Sequence, residues 1–446
     1  MHQSPLISLR VGVATRDISP LRPMFLVGYP HQPRTSTGVH DPLLASAIFF
    51  DDGRTRLLAI SLDLLFISTD TTRECRRAIE QATGVPAGHT LISATHTHSG
   101  PVTADMLAWR DDTIVPPTDP EYMAFLKQRV VEAAVAASQS AVPARLAVTT
   151  AHAEGVGGNR LLPDGVHDRE VGILFAQRRD NGQPLALQVV YSMHPTVMHE
   201  DSTLVSADFP AFTRRHLEAA LTGVKVLYHT GPCGNLSPRY HVKGQTFAEA
   251  ERLGGTLGET VLREVRALRN VDFTDNVPLA ATSELVALHS RRYPTVSHAE
   301  ENLQRSRADY ERLQREGAPR AQVRTAECVV FGAEELLTLA RLEASGELEG
   351  SRQHYAQAEV QALRVGDTFL VGLPGEQFVE YALRIKRESP RRAFVISLAN
   401  GELQGYIVTP EAEATGGYEA QMSFFPAAAG HAFTSAALKL IRGMAT

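Results

Sequence analysis

Residues 44–68 read LASAIFFDDGRTRLLAISLDLLFIS. Two apolar runs flank the turn Asp51-Asp52-Gly53, an arrangement that predicts a β-hairpin. A helix is expected over about 70–82, with Asp70 or Thr69 as N-cap and Gly84 as stop signal. The following run HTLISAT, residues 89–95, predicts another strand. A hairpin joined to a strand–helix–strand unit mixes antiparallel with parallel pairing, so the expected class is α/β, a mixed β-sheet core flanked by helices.

The same alternation continues along the chain. Thr118-Asp119-Pro120 opens a helix over YMAFLKQRVVEAAVAAS, since Pro suits the first helical turn. VGILFAQ and LALQVVYSMHP, joined by RRDNGQP, form a second hairpin. SADFPAFTRRHLEAAL reads as a helix, KVLYHT as a strand, and FAEAERLGGTLGETVLREVRAL as a long helix whose glycines cost helix propensity. From about 297 to 342, Glu, Arg, Ala and Leu at helical spacing predict an inserted helical hairpin with a solvated charged face. Strands return at YAQAEVQALRVG, TFLVGLPG and AFVISLAN, with helices at EQFVEYALRIKRE and SAALKLIRGM. No fixed-period repeat occurs, and residues 1–446 are expected to form one catalytic unit carrying that single insertion.

Composition narrows the function classes. Hydrophobic residues make up 43% and charged residues 21% of the chain, enough apolar content for a large core. Lys and Arg number 44 against 50 Asp and Glu, giving a net charge of −6 without a long basic stretch, so nucleic acid is not an expected partner. Cys75, Cys233 and Cys328 are scattered and odd in number, which points away from a disulfide framework and from a Cys-type zinc site. The start MHQSPLISLR has neither the basic nor the apolar region of a signal peptide, and no apolar run is long enough to cross a membrane, so a cytoplasmic location is expected.

The chemistry-bearing residues fall in loops after strands, where open α/β sheets bind ligands. SATHTHSGP, residues 93–101, sets His96 and His98 one residue apart. On an extended chain alternate side chains share a side, so both imidazoles would leave the strand end together. With His194 at the exit of the second hairpin they read either as part of a zinc site with an open position for water or as exposed turn histidines. GPCGNLSPRY places Ser237 in a Gly-rich turn; a plain turn serine fits as well, since no G-x-S-x-G elbow occurs. P-loop, G-x-G-x-x-G and H-E-x-x-H patterns are also missing. GGNRLLPDG puts Arg160 in an irregular loop, where its planar fork suits a carbonyl or carboxylate. PGEQF puts Glu376 in the first turn of a helix, where the dipole favours a carboxylate. Tyr406 precedes a β-branched run as a half-buried strand residue.

Taken in order, SATHTHSGP, GGNR, MHPTVM with SADFP, GNLSP, LPGE and GYIVTPEAEATGGYEA resemble the catalytic domain of the neutral (alkaline, non-lysosomal) ceramidases, and VGVATRDISP with FLVGYP extends the likeness almost to the start. The resemblance implies a zinc-dependent amidase that cleaves the amide of an N-acyl-sphingosine or a similar lipid. It implies zinc held by His96, His194, Glu376 and Tyr406, with His98 in substrate contact or proton transfer, Arg160 in substrate binding, and Ser237 at the catalytic centre. Tyr406 or Arg160 would hold the developing oxyanion and His98 would protonate the leaving amine, with a zinc-activated water as attacker and Ser237 assisting. Full-length members also carry a C-terminal β-sandwich domain, which is not expected within this chain. A smaller soluble N-acyl amine or ester is the alternative substrate. Readings from other classes are a metal-independent serine hydrolase with His229 or His199 as base, and a non-catalytic binding protein.

Overall fold

Leu44–Asp51 pairs antiparallel with Arg56–Leu62, so the opening hairpin forms where the sequence places it. The computed structural model describes residues 8–29, 32–162 and 164–445. Residues 1–7, on which the reading of the chain start partly rests, and Pro30 of FLVGYP lie outside them.

The hairpin belongs to an eight-stranded mixed sheet. Its order is Lys225–Thr230, Pro184–Tyr191, Glu170–Arg178, Val142–His152, Arg10–Asp17, Leu44–Asp51, Arg56–Leu62 and Thr90–Ala94. Only the outermost pair at each edge is parallel. Leu279–Ala287, Gln357–Val365, Thr368–Gly372 and Arg392–Ile396 form a second sheet of four strands, whose last pair is parallel. The expectation of one mixed sheet flanked by helices thus holds for the larger sheet, and the second sheet packs against it. Ile48, Phe50, Leu174 and Leu227 of the large sheet share a core with Leu363, Leu370, Phe394 and Ile396 of the small one. At Gly172 a Cβ would stand 2.5 Å from the Phe394 ring, so the missing side chain there is what lets the aromatic ring seat between the sheets. Truncating a ring buried this way costs about 3–5 kcal/mol.

Helices cover the two outer faces. Thr69–Thr83 and Pro120–Gln139 lie over one half of the large sheet, and Phe209–Ala220 with Phe247–Ala267 over the other. Val379–Glu388 and Ala428–Met444 cover the small sheet. The first helix is capped one residue earlier than expected: the Ser68 hydroxyl accepts the Thr71 N–H, while Gly84, at φ 70°, ends it as predicted. In Phe247–Ala267, Gly254 lies so close to the neighbouring helix that a Cβ would meet the Phe209 carbonyl at 2.5 Å. The propensity lost there permits close helix packing.

The insertion comprises Val296–Arg315, Arg320–Ser345 and the short helix Leu348–His354. A solvated charged face describes the first and last of these, not the second. Arg320–Ser345 buries Val330, Ala333, Leu336, Leu339 and Ala340, and its buried Glu335 accepts the Trp109 indole N–H at 2.8 Å. Its apolar stripe continues the core. Among the described residues no helix is long and apolar enough to cross a membrane.

The loops that follow Ala94, Tyr191, Thr230, Gly372 and Ile396 converge where the two sheets meet. Backbone bonds tie their bases together: Ser397 N–H to Thr230 O at 2.9 Å, Ala94 N–H to Leu398 O at 3.1 Å, and Asn400 N–H to Ile92 O at 2.7 Å.

Candidate metal centre and active site

The strand Thr90–Ala94 stops before the histidines, and His96 takes φ 72°, so the two imidazoles do not leave one extended chain as alternate residues. The left-handed turn brings their rings to a 5.0 Å edge contact at 86° instead. The Leu62–Leu65 loop holds this turn, accepting the Thr95 and His96 N–H groups, each at 2.8 Å. The Thr95 hydroxyl donates to Asp63, which the Arg214 guanidinium grips through two bonds of 2.8 and 2.6 Å. His194 follows its strand by three residues. Asp208 fastens that loop, accepting the Val197 and Met198 N–H groups at 3.0 and 2.8 Å. The SADFP stretch is therefore a clamp on the His194 loop as well as the start of a helix.

All three histidines are oriented in the same way. Nδ1 of His96 meets Leu65 O at 2.9 Å, Nδ1 of His98 meets Gly28 O at 2.8 Å, and Nδ1 of His194 meets Cys233 O at 2.7 Å. A carbonyl can only accept, so each Nδ1 carries the proton and each Nε2 of the neutral ring presents a lone pair. Gly28, at φ 122°, makes the His98 contact possible: a Cβ there would stand 2.5 Å from His98 Nδ1.

Glu376 is not in a helix. Glu376–Gln377 is a two-residue strand parallel to Tyr406–Ile407, with Glu376 and Tyr406 in register, and the helix begins only at Val379. Residues 235–238 lie alongside. Gly234 N–H donates to Gln377 O at 2.8 Å, and the Asn235 side chain accepts the Val379 N–H at 2.9 Å, capping that helix from outside. Gly158–Asn159 pairs with Leu236–Ser237, so GGNR forms a short bridge where an irregular loop is expected. Arg160 N–H continues it to Asn235 O at 2.8 Å. Residues far apart in sequence thus reach one site through two-residue pairings too short to register in any periodicity.

The resulting cluster fits a metal ion. His96 Nε2 and His194 Nε2 are 3.1 Å apart, and Glu376 Oε1 lies 3.5 and 2.8 Å from them. With both Nδ1 atoms protonated, neither histidine has a proton to bridge these three acceptors; Arg160 Nη1 donates to His194 Nε2 at 3.4 Å, and Glu376 Oε1 is buried without a hydrogen-bond partner. Ligands about 2.0–2.1 Å from a tetrahedral zinc stand roughly 3.3 Å apart, within the spread seen here. Ligand atoms of His96, His98 and His194 also all lie within 4.8 Å of one another, so this three-histidine group could itself hold a metal. Burial, and then Arg160, pushes His194 down to about 4. Burial, followed by the neighbouring His96 and His194, holds His98 well below the usual imidazole range.

Around this cluster, Arg160 donates Nε–H to Glu419 at 2.8 Å, lies with its guanidinium carbon 5.4 Å from the Tyr406 ring centroid, and keeps Nη2 buried without a partner. Tyr406 is only 5% exposed, more buried than expected. The Ser237 hydroxyl accepts the Arg239 N–H at 3.3 Å. His229 is bonded to Ser93 at 2.8 Å and is buried, so its partner is not Ser237, while His199 meets Gln245 at 2.7 Å. Among the described residues no histidine pairs with Ser237 in the manner of a serine hydrolase.

His98, Arg160, Ser237 and Tyr406 open onto one cavity of about 250 Å³. Four more of its lining residues went unremarked in the sequence: Tyr418, edge-on to Tyr406 at 5.7 Å, and Arg239, Arg320 and Arg324. Tyr418, with the Arg160 partner Glu419, lies inside the quoted GGYEA block and was open to notice. Arg239 lies inside the quoted GPCGNLSPRY stretch, whereas Arg320 and Arg324 belong to no motif.

Residues 9–233, half of the chain, match the family described as neutral/alkaline non-lysosomal ceramidase, N-terminal. The chain belongs to this family. It is accordingly a hydrolase of the class that acts on linear amide C–N bonds. The fold agrees with solved ceramidases. Neutral ceramidase from Pseudomonas aeruginosa superposes with a TM-score of 0.76 at 19% identity, covering 99% of this chain and 75% of that one. A structure described as ceramidase complexed with C2 superposes with a TM-score of 0.75 at 17% identity, covering 98% and 76%.

Proposed function

We propose that residues 1–446 form one catalytic unit, a zinc-dependent amidase that hydrolyses the N-acyl linkage of a ceramide-like substrate. The observation that carries this reading is the triangle of His96 Nε2, His194 Nε2 and Glu376 Oε1, three buried acceptors at 2.8–3.5 Å with no proton between them. His96, His194 and Glu376 would hold the ion, and Tyr406, in register with Glu376, would complete the set. Zinc supplies Lewis-acid activation of water and of the amide carbonyl.

The remaining roles belong to the chain itself. Arg160 Nη2, buried and unpartnered, is free to donate to the carbonyl oxygen as it gains charge. His98 Nε2 is likewise buried without a partner, and its neutral ring can take up a proton and pass it to the leaving nitrogen, so that water and amide become acid and amine. Ser237 orients the reacting groups. No base among the described residues touches its hydroxyl, which favours this over a covalent role.

The test is fatty-acid release from a medium-chain ceramide and from short N-acyl amines, with chelator and then with added zinc. Release that is lost with chelator and restored by zinc is expected. Release indifferent to chelator would overturn the metal role, and no release from any amide would overturn the reading altogether.

A further inference from the structure

The cavity wall is lopsided in charge. Among the described residues four arginines line it (Arg160, Arg239, Arg320 and Arg324), and no Asp or Glu does. Two of the four are already neutralised. Arg160 is paired with Glu419, and Arg324 with Glu200 at 2.9 Å and Glu327 at 2.7 Å. The other two have only neutral partners among the described residues. Arg239, half-buried and two residues beyond Ser237, meets the Thr325 hydroxyl at 3.1 Å and the Cys328 sulfur at 3.6 Å. Arg320 meets the Gln245 side-chain oxygen at 3.2 Å. Arg320 opens helix Arg320–Ser345, and Arg239 bonds to Thr325 and Cys328 in its second and third turns.

A neutral lipid amide seated here would exclude water from the Arg239 guanidinium without replacing its hydration, which is unfavourable. An anionic group would supply the missing acceptor, and Arg forks suit carboxylates and phosphates through paired bonds. We infer that Arg239 and Arg320 form a subsite for an anionic group, a carboxylate or phosphate, on the amine-derived half of an N-acyl amide substrate. The acyl chain is the apolar half of such a molecule, which leaves the amine half to carry the charge. This inference rests on the amidase reading and favours a smaller, charged N-acyl amine over an uncharged ceramide as its substrate.

Three amides differing only in the amine half test it: N-octanoylglycine, N-octanoyl-O-phosphoethanolamine and the uncharged N-octanoylethanolamine. Turnover is measured with the zinc-loaded full chain. Binding is measured by calorimetry with the ketone analogues, in which CH2 replaces the amide NH and nothing can be cleaved. A charge-assisted bond supports about a tenfold to hundredfold preference, so at least one anionic member should exceed the uncharged one by tenfold or more in both assays. Which member wins separates carboxylate from phosphate. Arg239→Gln and Arg320→Glu should each shrink that ratio at least fivefold. Arg320 is exposed, so its substitution does not endanger folding, and melting temperatures check Arg239→Gln. Equal kcat/KM and binding for charged and uncharged amides would overturn the subsite while leaving the amidase standing. So would a preference that survives both substitutions, since a carboxylate could then be binding the metal. Preferential binding of the anionic ketones without turnover of any amide would sustain the subsite and sink the amidase reading instead.

Discussion

The histidine side of the pocket and its arginine side reach their geometry by different routes. On the histidine side each ring spends its Nδ1 proton on a backbone carbonyl at 2.7–2.9 Å, and Asp63 and Asp208 clamp the loops that carry His96 and His194. The lone pairs are aimed before anything binds. On the arginine side Arg239 is held by two bonds and Arg320 by one, all to neutral side chains, and the helix that carries Arg320 belongs to the insertion. Preorganisation suits the reacting centre, where small displacements are costly in rate. Adjustable side chains are better suited to choosing among substrates. On the proposed reading the reacting centre and the anion subsite differ in rigidity, even though Arg239 follows Ser237 by only two residues.

The largest expected effect separates the two sides outright. His194→Ala should remove bound zinc and lower kcat/KM by more than about 10³-fold, since a ligand and the carboxylate partner that depends on it are lost together. Elemental analysis should find near-stoichiometric zinc in the wild type and in Arg320→Glu, and little in His194→Ala. Stoichiometric zinc in His194→Ala would mean that the triangle of His96, His194 and Glu376 is not the metal site, and the contrast between the two sides would collapse.

A smaller effect is expected at Ser237, which stands between them. Ser237→Ala should keep its zinc and lose about 10²–10⁴-fold in kcat, the range for a lost proton-transfer or orienting group. Mass spectrometry of wild-type protein quenched during turnover should show no acyl group on Ser237. An acyl-Ser237 adduct would make the serine the nucleophile, and the search would then turn to what activates a hydroxyl whose contact is the Arg239 N–H.

Much of the histidine side was legible in the sequence because strand ends announce themselves. The apolar runs ending near Ala94, Tyr191 and Thr230 are long enough to read, and His96, His194 and Ser237 follow them closely. What failed was local geometry. The φ of 72° at His96 has no glycine to signal it, and the two-residue pairings that align Glu376 with Tyr406 and Ser237 with Gly158 leave no periodic trace, so Glu376 read as helical and GGNR as irregular. The arginine side was hidden for another reason. In Arg320–Ser345 the charged residues follow the helical spacing of an ordinary solvated face, and nothing in that pattern tells that one turn borders a cavity while the rest buries Leu336 and Leu339.

That helix supplies the smallest and most exposing test. Glu335 is buried in its middle, accepts the Trp109 N–H with one oxygen, and has no partner for the other. Burial lifts its carboxyl to about 8, against a partial opposing pull from Trp109. The folded state therefore holds the proton more tightly than the unfolded chain does. The stability this contributes is fully present below about pH 4.5 and is lost as the pH rises through about 8. Glu335→Gln keeps an acceptor for Trp109 and removes the ionisation, so its melting temperature should gain on the wild type between pH 5 and pH 9. The limiting difference is on the order of a few kcal/mol, since each tenfold change in proton affinity is worth about 1.4 kcal/mol. Melting curves that run parallel across that range would show that the carboxyl is not held neutral there. If the gain appears, the arginine side is carried on a helix whose packing titrates near neutrality, and the anion preference of the pocket should be better retained at pH 9 in Glu335→Gln than in the wild type.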